Sequence, residues 1–214
     1  MPPVKIGVLI SGHGSNLQAL IDQITTGKIN GQITVVISDR KDAYGLIRAE
    51  THQLNAVFVD RKSCSTETEF NRKILAVLTK NEVQLIVLAG YLRILSGEVV
   101  HAYHNRIINI HPALIPSFCG QGYYGKKVHQ AVLDYGVKIT GATVHFVDEG
   151  TDTGPIISQR AVAVERDDTV ESLQNKVLNL EHRLLPEAVM LYCAGKLKID
   201  GRKVWRIEDE KSVN

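Results

Sequence analysis

Gln84-Leu-Ile-Val-Leu-Ala-Gly90 is the stretch on which the fold turns. Its apolar run is unbroken, where a half-exposed strand would alternate. A strand apolar on both sides needs cover on both faces, and such strands belong to parallel sheets whose crossovers are helices. The flanking sequence supplies the partners. Residues 4–10 are β-branched and read as a strand. Residues 17–26 carry apolar side chains at helical spacing: Leu17, Leu20, Ile21 and Ile24. A second buried strand follows at 33–38, a helix at 42–53, a short strand at 56–59 and a helix at 66–80. The last of these has Phe70, Ile74, Val77 and Leu78 on one stripe.

Downstream, Ile107-Ile-Asn-Ile-His111 is a fifth strand, ended by Pro112, which has no N–H to donate to a ladder. A helix at 126–135 stops at Gly136. Strands at 139–147 and 156–164 have no helix between them and should form an antiparallel hairpin. A long helix at 168–193, with Asp168 and Glu171 at cap spacing, precedes short strands at 196–207 and a polar tail at 208–214. The β-α-β-α alternation predicts a doubly wound α/β fold with a mostly parallel central sheet and an antiparallel hairpin towards the C-terminal part. One domain over 1–214 is expected, with an amino-terminal half at 1–105 and a carboxyl-terminal half at 106–195.

Composition narrows the function classes. Hydrophobic residues make up 44% of the 214 and charged residues 22%, ordinary globular values. A net charge of +2 with no Lys/Arg-rich run argues against nucleic acid. No apolar stretch approaches the ~18 residues of a membrane span. The three cysteines, Cys64, Cys119 and Cys193, form no C-x-x-C pair, so neither a disulfide framework nor zinc is supported. With no signal peptide read at residues 1–10, a reducing, cytoplasmic setting is expected.

The chemistry-bearing residues fall at carboxyl ends of predicted strands, where open α/β sheets bind ligands. Asn109 and His111 lie two apart in one strand and therefore share a face. An amide and an imidazole aimed together can hold a carbonyl oxygen as it becomes an oxyanion; alone, the pair better suits a histidine finishing a strand. Ser11-Gly-His-Gly-Ser-Asn16 joins the first strand to its helix, with Ser15 and Gln18 at capping-box spacing. Free N–H groups and the positive dipole end there suit an anion, although the motif specifies neither ATP nor a dinucleotide. Tyr91-Leu-Arg-Ile-Leu95 is apolar except for Arg93 and fits either a wall for a flat aromatic ligand or the start of a helix. Residues 117–125, glycine-rich with aromatics, suit a flap over a site or a plain surface loop. The loop at 148–155 carries Asp148, Glu149 and Asp152 but lacks the calcium-loop arrangement, so no metal is expected. Glu181 and His182 read as exposed helix polar residues.

Four motifs together resemble the phosphoribosylglycinamide formyltransferases, the folate-dependent formyl-transfer family of purine synthesis. They are Ile-Ser-Gly-His-Gly-Ser-Asn, Leu-Ala-Gly-Tyr-Leu-Arg-Ile-Leu, Asn-Ile-His-Pro-Ala-Leu-Ile-Pro and His-Phe-Val-Asp-Glu-Gly-Thr-Asp-Thr-Gly-Pro, in that order. The likeness extends over residues 4–195. It implies transfer of a formyl group from 10-formyltetrahydrofolate to the glycinamide amine of 5'-phosphoribosylglycinamide. It implies Asn109, His111 and Asp152 as the catalytic trio, with Gly14, Ser15, Asn16 and Glu181 on the ribonucleotide. It implies Leu92, Arg93, Ile94 and Leu95 around the folate, with Asn109 and Asp148. Some relatives carry a folate-binding Arg near position 67, where this chain has Glu67. Residues 117–125 also look longer than in the shortest relatives.

On this reading Asp152 should raise the His111 pKa and favour an imidazolium that donates to the oxyanion. Other enzymes with the same set, a formyltetrahydrofolate hydrolase and methionyl-tRNA formyltransferase, carry an extra amino- or carboxyl-terminal domain, and the chain's ends disfavour them. A non-catalytic nucleotide-binding module would need no convergence of the trio. A homodimer is left open.

Overall fold

The computed structural model describes residues 2–207. The tail read at 208–214 lies outside the described residues. In chain order the elements are β1 (Val4–Ile10), α1 (Ser15–Thr25), β2 (Gly31–Ser38), α2 (Tyr44–Thr51), β3 (Ala56–Phe58), α3 (Glu67–Lys80), β4 (Leu85–Leu88) and α4 (Gly97–Ala102). Then come β5 (Ile107–His111), α5 (Lys126–Tyr135), β6 (Ile139–Phe146), β7 (Ile156–Ala163), α6 (Val170–Cys193), β8 (Leu197–Asp200) and β9 (Lys203–Arg206). Among the described residues nine strands join one sheet, ordered β3-β2-β1-β4-β5-β6-β7-β9-β8. Strands β1 to β5 pair in parallel. The direction reverses at β5–β6 and again at β6–β7, the hairpin expected from the missing crossover helix.

The apolar run of β4 behaves as a strand covered on both faces. Leu85 and Val87 pack into one core cluster with α1 and α6, while Ile86 and Leu88 pack into the other with α3. Burial of such side chains contributes about 1.5–3 kcal/mol each. The strand order also locates a crevice. From β1 the chain winds outward through β2 and β3, then crosses back to β4, so the loops after β1 and β4 diverge. That divergence opens the sheet edge at its carboxyl end.

Two caps differ from expectation. Ser15 does not cap α1; it is the first helical residue, and Gly14 takes the cap position at φ 74 with no side-chain cap. A Cβ on Gly14 would lie 2.6 Å from the Gly45 Cα, so two glycines let the β1–α1 turn and α2 touch. At α6 the cap is a reciprocal Thr169–Ser172 box rather than Asp168 with Glu171. Asp168 instead accepts from Ser172 Oγ and pairs with Lys176 at 2.7 Å. Among the described residues no helix is long and apolar enough to cross a membrane.

Candidate active site

The crevice opens into a cavity of about 430 Å³. Its walls include residues 90–95, 109–112 and 120–125, the loop at 148–152, His129, His145 and Glu181. The loop after β4 is pinned at one end. Ser11 Oγ accepts the Leu92 N–H at 2.9 Å and donates to Asp39 at 2.6 Å. Asp39 in turn accepts from Arg93 Nε at 2.8 Å. Residues 91–95 stay out of a helix, since α4 begins only at Gly97. Leu92 is 45% and Ile94 61% exposed, large apolar surface left open at the cavity. Arg93 turns its guanidinium to Asp39 and Glu67 and over the Phe70 ring, so its head is already engaged. Glu67 pairs with Arg61 at 2.7 Å and does not line the cavity.

Asn109 and His111 share a face of β5, as period-two alternation requires. Across the antiparallel pair, His145 lies opposite Asn109 and Thr143 opposite His111. Asp152 reaches this face from the loop between β6 and β7, its backbone at φ 58, a left-handed conformation that Asp adopts more readily than most residues. Its carboxylate lies 3.5 Å from His111 Nδ1, 3.6 Å from His145 Nε2 and 3.5 Å from the Asn109 amide nitrogen. It also accepts the Gly120 N–H at 2.9 Å.

The acceptors assign protons to the two imidazoles. His111 Nε2 sits 2.9 Å from the Phe118 carbonyl and so carries hydrogen. His145 Nδ1 sits 2.8 Å from the Phe146 carbonyl, which leaves Nε2 to accept from Asn109 at 3.1 Å. Thr143 lies beneath, donating to the Ala113 carbonyl and accepting the Ile115 N–H, which fixes the turn after β5. Residues 117–125 are therefore tied to the site: Phe118 and Gly120 offer their backbone to His111 and Asp152.

Ionisation follows from burial and neighbours. Burial pushes the His111 pKa below 6.5; the Asp152 charge and the Phe118 carbonyl push upward without overcoming it. For Asp152, burial raises the pKa, but the neighbouring His145 and His111 rings and the Gly120 N–H outweigh it and leave the carboxyl below its usual range. Burial lifts Glu181 to about 7 against the opposing hydrogen bond from Asn16. That bond, Asn16 Nδ2 to Glu181 Oε2 at 2.7 Å, joins the first turn of α1 to the cavity wall on α6. Gly14 and Ser15 do not line the cavity; they stand at that helix end, whose first N–H groups have no acceptor one turn back.

The formyl transferase family model matches residues 4–189. The phosphoribosylglycinamide formyltransferase of Bacillus subtilis is 36% identical over 185 residues, 86% of this chain and 92% of that protein. The crystal structure of glycinamide ribonucleotide transformylase 1 from Symbiobacterium toebii superimposes with a TM-score of 0.91 at 46% identity, covering 97% of this chain and 95% of that one. The chain belongs to the phosphoribosylglycinamide formyltransferase family. The trifunctional purine biosynthetic protein adenosine-3 of Gallus gallus is 42% identical over 205 residues, and there the chain spans 20% of the relative's length.

Three expectations need revision. Asp152 acts on His111 in the expected direction, yet the net shift is downward because the imidazole is buried beside a second histidine. Glu181 is not an exposed helix residue; it is 9% exposed and faces the cavity. His145, inside the strand expected at 139–147, completes the group around Asn109 and Asp152. Its signal was faint: period-two alternation puts it on one face with Thr143, but pairing it with Asn109 needs the β5–β6 register. Among the described residues no group of three or more His, Cys, Asp or Glu side chains is set to hold a metal ion.

Proposed function

We propose that this formyltransferase moves the formyl group of 10-formyltetrahydrofolate to the glycinamide amine of 5'-phosphoribosylglycinamide. The observation that carries the reading is the convergence of Asn109, His111 and Asp152 on one cavity whose far wall, Glu181, is bonded to the first turn of α1. A folate co-substrate fits what the chain offers: Leu92 and Ile94 leave apolar surface open, which a flat ring would cover. Leu95 and Asp148 line the same cavity. Gly14, Ser15 and Asn16 would receive the ribonucleotide phosphate on free N–H groups at the positive end of α1. The folate supplies the formyl group, and the residues do the rest.

Burial favours the neutral form of His111, with hydrogen on Nε2 and a bare Nδ1 facing Asp152. It serves first as the base, taking the proton the amine loses on attack. The imidazolium so formed is held by the Asp152 carboxylate at 3.5 Å and can return the proton to the leaving folate nitrogen. Asn109 donates to the oxyanion that develops on the formyl oxygen, and His145 orients that amide by accepting its other hydrogen. No net proton is consumed by His111 over the cycle. Action on a free small molecule in the cytoplasm belongs to the same reading.

Single-turnover transfer from 10-formyltetrahydrofolate to the ribonucleotide, with the product weighed by mass spectrometry, tests the proposal. Formylated ribonucleotide supports it, with His111→Ala losing on the order of 10²–10³ in rate. Formate released with no ribonucleotide product would overturn it in favour of hydrolysis.

A further inference from the structure

The mechanism leaves His129, a buried titratable group on the cavity wall, without a task. His129, in α5, is 2% exposed and lines the cavity, yet its buried Nδ1 has no hydrogen-bond partner among the described residues. Buried polar atoms are nearly always paired, and an unpaired one in a native fold calls for a reason. Here the neighbours suggest one. Across from His129, Gln174, Leu178 and Glu181 lie along one stripe of α6 at spacings of four and three residues, and all three line the same cavity. His129 is also close enough to His111 for the two rings to interact electrostatically.

We propose that His129 is a substrate-binding residue that hydrogen-bonds a neutral polar group, an amine or carboxamide, at the reacting end of the acceptor. This deepens the formyl-transfer reading and rests on it. Burial holds the ring near a pKa of about 4, so it is uncharged at neutral pH. A neutral imidazole presents one donor and one acceptor, which suits N–H and C=O groups and gives no charge to neutralise a phosphate. Its nearness to His111 assigns it to the reacting end. The unpaired ring weakens the empty fold, and a bound acceptor relieves it.

Ring ¹⁵N resonances of the wild-type protein, recorded with the ribonucleotide and separately with inorganic phosphate, test the contact without mutation. The His129 signals should move with the ribonucleotide and stay in place with phosphate. Two variants add the energetic test. His129→Leu should raise the ribonucleotide KM roughly tenfold while its melting temperature holds or rises, because an unpaired polar group has gone. His129→Gln, which keeps a donor and an acceptor, should recover most of the affinity. Unmoved ring signals in a wild-type protein that does transfer formyl overturn the assignment. So does a His129→Leu variant with lower melting temperature and unchanged KM, which would make the ring a core residue. Failure of the wild type to transfer formyl at all instead refutes the functional reading beneath it.

Discussion

Glu181→Gln should remove a pH dependence of stability that the fold builds into α6. Glu181 is buried, with Asn16 Nδ2 at 2.7 Å as the hydrogen bond that favours its charge. Burial wins and moves the carboxyl from the ordinary 4.5 to about 7. The direction of the effect follows. Below pH 4.5 the side chain is protonated in folded and unfolded chains alike, and the full stability is present. Between 4.5 and 7 the unfolded chain ionises while the folded one keeps its proton, so the unfolded state gains and stability is lost. Above 7 both are ionised and the loss levels off. Each pH unit of separation is worth about 1.4 kcal/mol, so the whole loss comes to about 3 kcal/mol. Glutamine cannot titrate and can still accept from Asn16. Urea unfolding of both proteins from pH 4 to 8.5 isolates the effect, since every other titrating group cancels in the difference. The wild type should weaken against the variant by about 3 kcal/mol across that range, with most of the change between pH 5 and 7. Parallel stability profiles would refute the reasoning, because they would mean that Glu181 titrates alike in both states.

Three further outcomes are expected. Since burial holds His111 below 6.5, log kcat/KM should fall on the acid side with a midpoint under that value; a midpoint above it would restore the imidazolium scheme. Asp152→Asn removes the one charge that lifts His111, so an NMR titration should find the imidazole still more acidic, and turnover should drop on the order of 10². Gly14→Ala meets both the left-handed φ of 74 and the Gly45 backbone at 2.6 Å, and should cost about 1–3 kcal/mol, read as a lower melting temperature with the α1 end disturbed.

Local pattern carried a good deal of this molecule. The continuous apolarity of residues 84–90 implied cover on both faces, and β4 is shared between two core clusters. Alternation put Asn109 and His111 on one side of one strand, and the missing crossover helix after β6 implied the hairpin. These are properties of a few neighbouring residues, set by backbone geometry that every chain shares. What needed the folded chain were quantities that depend on residues far apart. The register of β5 against β6 brings His145 to Asn109, across a separation of 36 residues. Asn16 and Glu181 meet across 165. The sign of the His111 shift is a contest between a carboxylate and the loss of water, and the depth of burial exists only once helices and loops have closed over the sheet. For the same reason Glu181 looked like an exposed helix residue by its own chemistry and is a buried acid in the structure. Sequence spacing states which side chains can share a face; tertiary packing decides what that face meets and how much water it keeps.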